Sequence, residues 1–195
     1  MHHPYRKFLF MARVFFLLTM FFACTVHAET LEILPQFEAA EKARNMSNLT
    51  FQDAKGNLHH ISDYHGKLVL LNIWATWCVP CRREMPALDN LQGTYKNTLL
   101  HILPVSIDNG QSLDKVLAFY HENRIKHLPA LVDKNLVMTR ELHPMGLPTS
   151  FLIGPNGRLL GKIEGFAPWD SPEAANLIES YLQKTSAVNG GKNFR

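Results

Sequence analysis

The sequence predicts an α/β domain, one half parallel and the other antiparallel, on three observations. Lys67-Leu68-Val69-Leu70-Leu71-Asn72-Ile73-Trp74 is a nearly continuous apolar run, which suits a strand buried on both faces inside a sheet. Apolar residues at helical spacing follow that run and recur between later apolar runs, the pattern of strand–helix–strand units. Near the end, Thr149 to Ile153, the turn Pro155-Asn156-Gly157 and residues 158–163 read as a hairpin. At 195 residues, 46% apolar and 19% charged, the chain is globular in composition and long enough for one ordinary core. Nothing repeats at a fixed period, which excludes a solenoid.

Residues 1–28 read as a secretory signal peptide. Arg6, Lys7 and Arg13 give a positive start, an apolar stretch covers 14–23, and Val26-His27-Ala28 fits a cleavage site. That stretch is shorter than the roughly 20 residues a helix needs to cross a bilayer. The alternatives are an uncleaved anchor over 8–23 and a lipid attachment at Cys24. Each places the rest of the chain in the periplasm or another extracytoplasmic compartment, soluble after cleavage or tethered by its N-terminus.

Residues 29–46 form a lead-in, with one short helix expected over 37–44. Leu49-Thr50-Phe51, the turn at Lys55-Gly56-Asn57 and residues 58–61 suggest a small hairpin. Beyond the apolar run at 67–74, Met85, Leu88, Leu91, Gln92 and Tyr95 lie at helical spacing. Residues 99–107 form a second buried strand, and Ser112 opens a helix carrying Leu113, Val116, Leu117 and Tyr120. A short strand at 130–132 and a helical turn through Arg140 and Leu142 precede the C-terminal hairpin. Ser171-Pro172-Glu173 opens a last helix with Ala174, Leu177, Ile178 and Tyr181 on one face. Residues 185–195 read as a flexible tail.

Charge and cysteine count narrow the function. The chain has 20 Lys+Arg against 17 Asp+Glu, and loss of residues 1–28 removes three bases and no acid. The remainder is balanced, which gives no case for a nucleic-acid partner. Of three cysteines, only Cys78 and Cys81 lie outside the leader. A secreted domain stapled by disulfides spreads its cysteines along the chain, so one close pair points to chemistry.

The decisive segment is Trp74-Ala75-Thr76-Trp77-Cys78-Val79-Pro80-Cys81-Arg82-Arg83-Glu84-Met85-Pro86. A C-x-x-C between a buried strand and a helix puts its first sulfur at the helix N-terminus, where free N–H groups and the macrodipole favour a thiolate. Such thiols ionise at about 3.5 to 7, against about 8.5 for free cysteine. Cys78 is therefore the candidate nucleophile and Cys81 the resolving thiol. A zinc site would need two further ligands, and no second C-x-x-C or H-x-x-x-H supplies them. No metal and no cofactor beyond the redox-active disulfide is expected.

Residues 68–91 resemble the active-site segment of the TlpA/ResA-like thiol–disulfide oxidoreductases of the thioredoxin superfamily. The family pattern W-A-x-W-C-x-P-C-x-x-E-x-P is matched without a gap. A second block, Gly146-Leu147-Pro148-Thr149-Ser150-Phe151-Leu152-Ile153 with Asn156-Gly157 and residues 161–165, resembles the same family's cis-proline loop and terminal hairpin. So does Trp169-Asp170-Ser171-Pro172-Glu173. The match covers roughly residues 47–184. It implies a thioredoxin fold, a central mixed sheet flanked by helices, with an N-terminal β-hairpin extension and a central insertion around 108–135.

The resemblance also implies roles. Pro148 would be the cis-proline facing the disulfide, and Glu84 the acid one helical turn beyond Cys81 that exchanges a proton with a thiolate. Asn72 stands where cytosolic thioredoxins carry a buried Asp, which puts the proton traffic on Glu84. Trp77, Val79, Pro80, Leu147 and Thr149 would touch the client, and Met85 is a candidate for lining the same groove. The expected activity is reduction of client-protein disulfides, with an upstream membrane thiol reductase restoring the pair. The family's clients suggest cytochrome c maturation or copper-site assembly in cytochrome oxidase. The rival classes are a peroxiredoxin-type peroxidase, which uses T-x-x-C, and a Sco-like copper chaperone, which would recruit His127 or His143. Outside that rival reading, His59, His60, His65, His121, His127 and His143 are scattered and read as surface or loop residues.

Overall fold

The computed structural model of the chain describes residues 34–108 and 112–190. The signal-peptide or anchor reading of 1–28, Cys24 included, lies outside the described residues. The first element, β1 (Glu38–Ala39), is a two-residue strand where a short helix is predicted from the sequence. An isolated short helix must satisfy its own amides, whereas the edge of the last strand offers partners ready-made. Glu38 and Ala39 pair antiparallel with Lys162 and Gly161. Ala40 N–H donates to the Leu160 carbonyl at 2.9 Å, and Phe37 packs edge-on against Tyr181.

Strands β2 (Thr50–Asp53) and β3 (Leu58–His60) form the expected hairpin. The Asp53 carboxylate accepts from the Lys55 and Asn57 N–H groups and from the Asn57 side chain. Gly56 supplies the left-handed backbone, φ 81°, that closes the turn. A 3-10 turn (Ile61–Tyr64) leads to β4 (Leu68–Trp74), then α1 (Val79–Thr94), β5 (Leu100–Ser106), α2 (Ser112–Glu122) and β6 (Leu131–Val132). A second 3-10 turn (Lys134–Leu136), α3 (Val137–Leu142), the hairpin β7 (Thr149–Ile153) and β8 (Leu159–Glu164), and α4 (Pro172–Gly190) complete the described chain.

One mixed sheet runs in the order β1-β8-β7-β4-β5-β6-β2-β3. Strand β4 is parallel to β5 and antiparallel to β7, so the parallel and antiparallel halves meet on it. Its side chains alternate between two cores. Leu68, Leu70 and Trp74 join a cluster with residues of α1, α2 and α4, whereas Val69, Leu71 and Ile73 join one with Phe51, Met138 and Leu142. Every residue of β4 is buried, Asn72 included, as its nearly continuous apolar run requires. The N-terminal hairpin extends the sheet by pairing β2 with β6, and α2 and β6 are the insertion.

Helix α4 continues to Gly190, into the stretch set aside as a tail. Thr185 is buried there and its hydroxyl donates to the Tyr181 carbonyl. No helix among the described residues is long and apolar enough to cross a membrane.

Candidate active site

Strand β4 stops at Trp74, and four residues later the chain enters α1. Cys78 is the N-cap of that helix, with extended backbone (φ −83°, ψ 107°), and its Sγ accepts from the Cys81 N–H at 3.3 Å. Pro80 occupies the first turn, where its missing N–H costs nothing, and no acidic residue shares that turn. The helix dipole therefore acts on Cys78 unshielded. Cys78 and Cys81 are joined in a disulfide, with Cα atoms 5.3 Å apart. Cys78 keeps 6% of its surface, while Cys81 has none. Only the first sulfur is open to an incoming molecule.

The loop before Cys78 is tied down from β5. Asp108 accepts from the Thr76 N–H at 2.8 Å, the Thr76 hydroxyl at 2.7 Å and the Ser106 hydroxyl at 2.6 Å. From sequence, Asp108 reads only as the residue that closes a strand. Its cue is an acid directly beyond a buried strand parallel to β4, which by topology ends beside the catalytic loop.

Glu84 lies one turn beyond Cys81 and is 1% exposed. Asn72 Nδ2 donates to Glu84 Oε1 at 2.7 Å, and the Ala167 N–H donates to Oε2 at 3.1 Å. Burial dominates and raises the carboxyl from its ordinary 4.5 to about 7; the Ala167 and Asn72 donors pull the other way. The Trp169 indole also favours the ionised form, although its N–H meets no acceptor in hydrogen-bonding geometry. Asn72 also donates to Ser150 Oγ at 2.9 Å, because the two residues lie opposite each other on β4 and β7. The sequence places Ser150 only in the block after Pro148, with no part assigned beside Asn72; a polar residue in a fully buried strand is the signal that points to it.

The Leu147–Pro148 peptide bond is cis. Pairing of Ile73 with Thr149 sets Pro148 level with Trp74, at the end of the sheet that carries Cys78. Trp77 and Val79 flank the disulfide with 65% and 67% of their surface exposed, and Pro80 and Leu147 are half-buried. Thr149 departs from its expected role. Its side chain is fully buried, its hydroxyl donates to the Gly146 carbonyl at 2.8 Å, and strands flank it on both sides. It has no side chain to offer a client. Met85 is likewise core, turned inward with Leu88 beneath the sheet. Met145, a core or loop residue by sequence, and Phe166, not singled out there, are exposed in the loops after α3 and β8.

A disulfide at a helix start on this sheet, with one sulfur reachable, defines a thiol–disulfide oxidoreductase of thioredoxin fold. Residues 34–161 match the AhpC/TSA family. The thiol-disulfide oxidoreductase ResA of Bacillus thuringiensis subsp. konkukian is 31% identical over 147 residues, covering 75% of this chain and 80% of that protein. The crystal structure of a putative thiol:disulfide interchange protein DsbE from Chlorobium tepidum superposes with a TM-score of 0.60 at 27% identity, over 75% of this chain and 99% of that one. The pneumococcal exposed lipoprotein thioredoxin of Streptococcus pneumoniae gives 0.57 at 25% identity, over 67% and 98%. The chain belongs to the AhpC/TSA family and is a ResA-like thiol–disulfide oxidoreductase.

Proposed function

We propose that the chain works outside the cytoplasm as a dithiol that reduces disulfides in client proteins. The observation that carries this reading is the asymmetry of the pair: Cys78 caps the helix and reaches the surface, while Cys81 is sealed beneath it. In the reduced protein the Cys78 thiolate attacks one sulfur of a client disulfide. A mixed disulfide forms and the client's other sulfur leaves as a thiolate. Cys81 then loses its proton to the Glu84 carboxylate and attacks Cys78 Sγ, and the second client sulfur departs. Two electrons pass to the client, Cys78 and Cys81 are left joined, and Glu84 returns the proton to a departing thiolate. An acid that titrates at about 7 holds and releases a proton near neutrality, as this step needs.

Trp77, Val79, Pro80 and Leu147 supply the apolar rim against which the client lies, with Pro148 beside them. The pair needs no further cofactor, and an upstream membrane thiol reductase restores it. Clients in cytochrome c maturation or copper-site assembly fit a reductant in an oxidising compartment. The leader-like residues 1–28 support export, as does similarity to an exposed lipoprotein thioredoxin. A peroxidase nucleophile of the T-x-x-C type would need Thr where Ala75 stands. A copper chaperone using His127 would need that ring beside the sulfurs. The ring instead sits where a Cβ on Gly93 would touch it, in the last turn of α1, about 20 Å along the helix from Cys78.

Trapping tests the reading. Cys81→Ser should accumulate clients as mixed disulfides on Cys78, released by dithiothreitol and identifiable by mass. Equal capture by Cys78→Ser, or none by Cys81→Ser, would refute it.

A further inference from the structure

Arg82 and Arg83 follow the resolving cysteine directly, and both are exposed. Each guanidinium rests on an aromatic ring. Arg82 Cζ lies 5.5 Å from the ring centroid of Phe119 on α2, and Arg83 Cζ lies 5.3 Å from that of Phe166. Phe119 belongs to the segment between β5 and β6, and Phe166 to the loop after β8, so the two cations lean to opposite sides of β4. Phe166 is held at the site because the next residue, Ala167, donates its N–H to Glu84.

Neither arginine makes an ion pair among the described residues. The first turn of α1 holds no acid, and the Glu84 carboxyl that follows Arg83 is buried against Asn72 and Ala167. Two cations near the positive end of a helix are a placement the helix dipole disfavours, so helix stability does not account for them. Stacking on rings fixes both forks, which lowers the entropy lost when they grip a carboxylate.

We propose that Arg82 and Arg83 select clients whose reactive disulfide lies in an acidic segment, a carboxylate on either side of the cystine meeting one guanidinium each. This rests on the reading of the chain as a client reductase. The occupant is a protein segment rather than an anionic lipid surface, because whatever docks between the arginines must deliver a disulfide to Cys78.

The test uses the reduced full-length protein and three cystine peptides of one length, with Glu, Gln or Lys flanking the reacting cysteine. At about 20 mM salt the Glu peptide should be reduced about tenfold faster than the Lys peptide, the ratio falling toward one at about 0.5 M. In Arg82→Gln/Arg83→Gln the ratio should fall toward one at both salt concentrations. The ratio cancels any change in the thiolate itself, since all peptides meet the same Cys78. Equal rates in the parent protein, or a ratio that survives in the variant, overturns the proposal. Binding to phosphatidylglycerol vesicles that the double variant loses, with no preference among peptides, would assign the pair to a membrane and overturn it too. If no peptide is reduced, the Gln form included, the reductase reading falls and takes this one with it.

Discussion

Glu84 is where burial and hydrogen bonding pull hardest against each other, and the outcome is measurable as stability against pH. Below its ordinary 4.5 the carboxyl is protonated in both folded and unfolded chains. Between 4.5 and about 7 the unfolded chain releases the proton and the folded chain keeps it, so unfolding gains as pH rises. Above about 7 both forms are ionised, and the folded state carries a cost of about 3 kcal/mol relative to pH 4. Urea unfolding of the oxidised protein should therefore show Glu84→Gln losing less stability than the parent between pH 5 and pH 8. Parallel profiles would mean that the carboxyl titrates as a surface group. The acid itself was legible from its place one turn after Cys81. The environment that sets its proton affinity was not, because Ala167 lies 83 residues away and Ser150 meets Asn72 only across strands.

At the scale of elements, local pattern located what local physics decides. The nearly continuous apolar run of β4, the helical spacing after Cys81 and the Asn156-Gly157 turn each carry their own signature, and all three elements formed where expected. Strand β1 failed that reading because its structure is borrowed from the edge of β8. Gly161 makes that loan possible. A Cβ there would collide with the Phe37 ring and stand 2.7 Å from the Glu38 carbonyl oxygen, so only glycine lets the two backbones meet. Gly161→Ala should free residues 37–40 from the sheet, seen as faster amide exchange at Ala40 with exchange in β4 unchanged. Unaltered protection at Ala40 would contradict the close approach. Thr149 was misread for the converse reason: its position in a family block says where the backbone runs, not which way the side chain turns.

Across the whole molecule, the sheet gathers at one end what the sequence scatters. The parallel partner β5 delivers Asp108 to the loop before Cys78, the antiparallel partner β7 delivers Pro148 and Ser150, and the loop after β8 delivers Ala167 to Glu84. The same assembly bears on the direction of electron flow. The helix dipole and the two arginines favour the Cys78 thiolate. Against them stands Glu84, buried one turn from Cys81 and in no ion pair among the described residues, which resists a second negative charge when ionised. The reduced form is thus spared the extreme stabilisation that makes a strong oxidant. Equilibration of the Cys78–Cys81 couple against a glutathione or dithiothreitol redox buffer tests this directly. The account predicts a reduction potential of roughly −200 to −270 mV, and a value near −120 mV would contradict it.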